Sequence, residues 1–305
     1  MTVDAQEPTT SEGWITADDG VRLYWQAIGE RGDTVLFLHG GPGGRVQNQL
    51  ENFAELARTH VVLGYTQRGA DASVADTTTL TVQRHVDDLE LVRRHFGLER
   101  VTLLGHSWGT ALAVLYAERY PRHVERLILN APMPPARTPF GAQRDSAMLV
   151  RRTEICRATP GVAADTSALR ACVSNPATQR NAYLADTTNL RRARGDLAQA
   201  AFTGLDRTAL RVTMRALGDW DFRRAMSRVR APALVVEGAR TPIPLAQVRL
   251  WAETIPNARL LLVPNTGHGA PFIENPDVFF SALREFLDGR WPDGTVGPPW
   301  PGTLE

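Results

Sequence analysis

Residues 101–120 read VTLLGHSWGTALAVLYAERY, and the run changes character at Ser107. Val101 to Leu104 reads as a buried strand, and Trp108 to Tyr120 as a helix that is apolar nearly all round, hence buried. Between them Gly105-His106-Ser107-Trp108-Gly109 fits G-x-S-x-G. So sharp a strand-to-helix turn brings its flanks into collision, which is why a glycine stands on each side. The turn lifts the hydroxyl above the sheet at a helix N-terminus, where the Trp108 N–H can meet a developing oxyanion. The pentapeptide alone is a weak signal; set between a strand and a buried helix it is specific.

Working outward, the same alternation continues. Trp14 to Gly29 reads as a hairpin turning at Asp19-Gly20. Thr34 to Leu38 and Val61 to Tyr65 are short buried strands, and Thr81 to Gly97 is an amphipathic helix with Val82, Val86, Leu89, Val92 and Phe96 on one stripe. Leu127 to Leu129 is the next strand. Strand and helix resume at Ala233 to Val236, Leu245 to Thr254, Leu260 to Val263 and Val278 to Leu287. Such alternation specifies an α/β chain: a mostly parallel, doubly wound sheet with working residues beyond the carboxyl ends of its strands. Residues 133–225 carry helical stripes without a convincing strand, so we expect a helical cap over a core made of 1–132 and 226–290. Residues 1–13 are expected to be a flexible N-terminus and 291–305 a loosely docked tail.

Further chemistry lies in the loops. His39-Gly40-Gly41 follows an early strand, where the Gly41 N–H is expected to be the second oxyanion donor. Gly267-His268-Gly269 follows the last strand, and a histidine between glycines can reach the serine as general base. His85, His95 and His123 are expected to be solvated, whereas His39 and His106 flank the elbow and shape it. His39, Gly40, His106 and Thr241 are the expected substrate contacts. An acid is needed to orient His268. The loop after the strand Ala233 to Val236 reads Glu237-Gly238-Ala239-Arg240-Thr241, so Glu237 is the nearest acid and no aspartate is present; Asp71, Asp219 and Asp221 are stand-ins from neighbouring loops.

Together these residues resemble the proline iminopeptidase-like branch of the α/β-hydrolases. His39-Gly40-Gly41-Pro42-Gly43-Gly44 is similar to that family's signature loop, and Gln67-Arg68-Gly69 to its Asp-Gln-Arg-Gly segment. Asp76-Thr77-Thr78 onward to the elbow is similar in order and spacing. The resemblance covers roughly Trp14 to Pro132 and Ala231 to Leu287. It implies an α/β-hydrolase fold with Ser107 as nucleophile, His268 as base, and Gly41 and Trp108 as oxyanion donors. It also places the family's triad aspartate at Thr241 and its Asp before Gln-Arg-Gly at Thr66. The Trp-x-x-Trp-Glu element that helps hold a substrate's α-amine in that family is absent from Met133 to Arg224.

Composition narrows the function. The 305 residues fit one large α/β domain with an insertion, at formal net charge +1, so no global field draws the chain to nucleic acid or anionic lipid. All 34 basic residues are arginine and lie scattered, which argues for a compositional bias rather than a phosphate site. Neither a signal peptide nor a membrane span is legible, so a cytoplasmic protein is expected. Cys156 and Cys172 read by default as thiols, with a disulfide stapling a helical hairpin as the alternative. No cluster has metal-ligand spacing, so neither metal nor organic cofactor is expected. The expected function is a serine enzyme acting on a small-molecule ester, amide or lactone, conceivably of specialised metabolism, and not a true proline aminopeptidase. Two alternatives stand: a non-hydrolytic enzyme of the same fold, performing proton transfer, cyclisation or bond formation, and a binding protein without turnover.

Overall fold

Eight short strands form one sheet, and the antiparallel ones come first. Thr10–Thr16 (β1) pairs with Arg22–Ile28 (β2), and β2 pairs with Val61–Tyr65 (β4). Every other pairing is parallel, giving the order β1-β2-β4-β3-β5-β6-β7-β8. The remaining strands are Thr34–Leu38 (β3), Val101–His106 (β5), Val124–Asn130 (β6), Ala233–Gly238 (β7) and Ala258–Val263 (β8). This computed structural model describes residues 8–47, 49–185, 205–268 and 271–300. Residues 1–7 of the N-terminus, 186–204 of the helical segment, Gly269 beside His268, and 301–305 of the tail lie outside the described residues.

The central strands are buried along nearly their whole length because helices cover both faces. Val82–His95 (α1) buries Val86, Leu89 and Val92, the stripe read from the sequence. Its first turn is capped by Thr81, whose hydroxyl accepts from the Arg84 N–H. Trp108–Arg119 (α2) is buried on almost every side, as its lack of a polar face requires. Strand order reverses between β3 and β5, which are hydrogen-bonded neighbours. The loops leaving these two strands therefore meet above the sheet, where α/β proteins place ligands.

Between β6 and β7 lie Ala142–Arg157 (α3), Thr166–Ser174 (α4), Pro176–Asn181 (α5), Arg207–Leu217 (α6) and Arg223–Met226 (α7), with no named strand among the described residues. Entry and exit of this segment are stitched together: the Arg137 N–H donates to the Trp220 carbonyl and the Phe222 N–H to the Pro135 carbonyl, both at 2.8 Å. Cys156 and Cys172 form a disulfide joining α3 to α4, so the default reading of two thiols is corrected to the stapled hairpin. Leu245–Thr254 (α8), Pro271–Glu274 (α9) and Pro276–Leu287 (α10) complete the core, and no helix among the described residues is long and apolar enough to cross a membrane.

Candidate active site

The elbow is built by exclusion. Ser107 has φ 52° and ψ −114°, a conformation that a non-glycine residue holds only under constraint. A Cβ on Gly105 would lie 2.5 Å from the Gly109 carbonyl oxygen, and one on Gly109 only 2.1 Å from that of Leu38. The turn is tied to β6, since the Ser107 N–H donates to the Asn130 carbonyl at 3.1 Å. The oxyanion loop crosses directly over it: a Cβ on Gly40 would approach Ser107 Cβ to 3.1 Å. Gly41 has φ 59°, a left-handed conformation suited to glycine.

A buried carboxylate orients the histidine that shares a cavity with Ser107. His268 Nδ1 lies 2.9 Å from Glu237 Oε2. Glu237 is fully buried at the end of β7, and its other oxygen accepts from the Gly238 N–H at 2.9 Å. Donation from Nδ1 to Glu237 leaves Nε2 as the nitrogen available to take a proton. The loop carrying His268 is held by Glu274, which accepts from the Gly267 N–H at 2.6 Å and from the Ala185 N–H at 3.0 Å. The Tyr183 ring lies over His268 at a centroid distance of 5.5 Å.

Ser107, His268, Gly40, Gly41, Trp108 and His106 all line one cavity of about 720 Å³, within the size range of small-molecule sites. Neither the Gly41 nor the Trp108 N–H is donated to an acceptor among the described residues. Beside Ser107 and His268 the wall carries the apolar Met133, Met148, Leu205, Leu210 and Met214, and α3 adds Arg144, Asp145 and Arg152. Leu210 and Met214 sit four apart on α6, an apolar stripe that was legible as helix but not as pocket.

Two expected substrate contacts lie elsewhere. His39 does not line the cavity: its ring is fully buried, Nδ1 donates to the Gly40 carbonyl, and Nε2 accepts from the Gln67 N–H at 3.0 Å. Burial pushes its pKa down to about 4, so it stays neutral. Thr241 is also absent from the wall; its hydroxyl accepts from the Ile243 N–H at 3.2 Å and serves the turn. His106 is at the wall, held by Asn130 Nδ2 at 3.1 Å, and burial, then the neighbouring His268, push its pKa down to about 3.

Other expectations sort as clearly. His85 is not solvated: it is fully buried, with its ring edge-on to Trp108 and Nε2 at 3.4 Å from Thr213. Burial, then the charge of Arg68, push its pKa down to about 3. The alternative acids are engaged away from His268: Asp71 with Arg45, Asp221 with Arg223, and Asp219 with Thr138 at 3.5 Å. Gln67-Arg68 is scaffolding. Gln67 Oε1 accepts from Trp108 Nε1 at 2.7 Å, and Arg68 makes a bidentate pair with Asp88 and a further contact to Asp19. Thr66 bridges Val46 and Gln47.

A serine on a strand–elbow–helix turn, facing a carboxylate-oriented histidine at the reversal point of such a sheet, defines the α/β-hydrolase class. The family described as alpha/beta hydrolase fold matches residues 33–276, and the chain belongs to it. A proline iminopeptidase from Xylella fastidiosa is 37% identical over 121 residues, covering 39% of this chain and 38% of that protein. The chain thus spans about two-fifths of such relatives at that identity. One from Lactobacillus helveticus is 25% identical over 291 residues, covering 88% and 95%. Among solved structures, proline iminopeptidase from Mycobacterium smegmatis aligns with TM-score 0.72 at 23% identity, over 92% of this chain and 98% of the other. An esterase from Exiguobacterium antarcticum aligns at 0.69 and 22%, over 91% and 100%.

Proposed function

We propose that this chain is a serine hydrolase that cleaves a small-molecule ester, amide or lactone, with Ser107, His268 and Glu237 as its triad. The observation that carries the reading is the buried 2.9 Å contact between His268 and Glu237, on a histidine that shares its cavity with the elbow serine. Ser107 Oγ attacks the substrate carbonyl and its proton passes to His268 Nε2. The tetrahedral oxyanion takes the N–H groups of Gly41 and Trp108. The bond to the leaving group breaks as His268 returns the proton to it, and water then repeats the sequence to free the acid. The described helices between β6 and β7 act as a cap that contributes to the pocket wall through residues such as Met148 and Met214. The absence of the amine-holding element sets the substrate apart from peptide N-termini. The non-hydrolytic alternative rested on a missing aspartate and an altered cap; the Glu237–His268 contact supports the hydrolytic reading over it.

A fluorophosphonate probe read by intact mass tests this. Wild type should gain one adduct at Ser107, with Ser107→Ala gaining none and His268→Ala labelling far more slowly. An unlabelled wild type would sink the proposal.

A further inference from the structure

The cavity wall also carries charge that the chemistry above does not use. Arg144, Met148 and Arg152 are spaced four apart on α3 and all line the cavity, so one face of that helix looks into it. Arg144 is neutralised by Asp145, whose Oδ1 accepts from its Nε at 3.0 Å and its Nη2 at 2.6 Å. Arg152 differs. Its Nε donates to the Met148 carbonyl at 3.2 Å, and it has no carboxylate partner among the described residues. Its half-buried stem lies beside buried Met148.

Resting on the hydrolase reading, we infer that Arg152 is an oxyanion subsite and that the substrate is an ester or amide bearing a carboxylate remote from its scissile bond. One uncompensated guanidinium fork matches one carboxylate, and a phosphate's larger charge would be only partly met. The apolar residues that share this wall, such as Leu210 and Met214, suit a short hydrocarbon spacer between the two groups. The same charge repels a free α-ammonium, which separates this pocket from one built for peptide N-termini.

The test compares the mono-p-nitrophenyl ester of adipic acid with its methyl diester, the anionic and neutral forms of one acyl chain. Wild type should favour the anionic ester in kcat/KM by about tenfold, the discrimination expected of one charge-assisted contact. In Arg152→Gln the ratio should fall to near one, and Arg152→Lys should retain part of it. A ratio near one in wild type, or one unmoved in Arg152→Gln, overturns the subsite while leaving the hydrolase reading intact, provided Ser107 still labels. If neither ester turns over and Ser107 does not label, the hydrolase reading fails, and calorimetry with monomethyl adipate then decides the subsite. Binding lost in Arg152→Gln upholds it; equal binding, or none, overturns it.

Discussion

At the scale of single residues, the acid is the informative position. Glu237 ends a strand, whereas the family's aspartate position, Thr241, lies further along the loop and serves a turn. The longer glutamate side chain spans to His268 from inside the sheet edge. The sequence offered Glu237 among several acids, because which carboxylate reaches His268 depends on how two distant loops fold back together. Ser107, His268, Gly41 and Trp108 stand out in the sequence through their local surroundings, and the structure brings them to one cavity. His39 and Thr241 were misread as pocket residues because hydrogen bonds elsewhere claim them: His39 ties Gly40 to Gln67 of a neighbouring loop, and Thr241 serves its own turn. Glu237→Gln keeps the shape but cannot hold His268 in the same tautomer as firmly; kcat should fall by about 10³–10⁴ without a matching rise in KM. Steady-state kinetics on an activated ester checks this, and combining it with His268→Ala should cost little more than His268→Ala alone.

At the scale of elements, strands β3 to β8 and helices α1, α2, α8 and α10 were legible within a few residues. A strand buried on both faces is written as a short apolar run, and a surface helix as a stripe. The segment between β6 and β7 was legible only as helical. Its pocket-lining faces answer to a substrate and a partner surface, not to a period of their own. The disulfide between α3 and α4 closes a loop with a sequence separation of 16 and holds the helix that carries Met148 and Arg152. Removing it by Cys156→Ser with Cys172→Ser should cost stability, up to about 3 kcal/mol on loop entropy. Thermal unfolding with and without reductant should show the melting point drop in wild type and no reductant effect in the double variant. Ser107 labelling should persist, since the elbow rests on the sheet.

At the scale of the whole molecule, buried neutral histidines set the acid limit. His39 and His85 have folded pKa values of about 4 and about 3, below the ordinary histidine value of about 6.5. Between those limits the unfolded chain binds protons that the native one excludes. Stability is therefore full above about pH 6.5 and falls as pH drops, through about 4 for His39 and further for His85. His106, also pushed down to about 3, adds to the same effect, so the slope should approach about 4 kcal/mol per pH unit when all three contribute. Urea unfolding across that range checks it, and His85→Gln should make the slope shallower. Glu274 has a consequence of a different kind. One carboxylate fastens both Gly267, next to the general base, and Ala185, where the helical segment comes down onto the core. Losing the Ala185 contact would therefore loosen the same carboxylate that holds the His268 loop, so a change at the foot of the helical segment is felt beside His268.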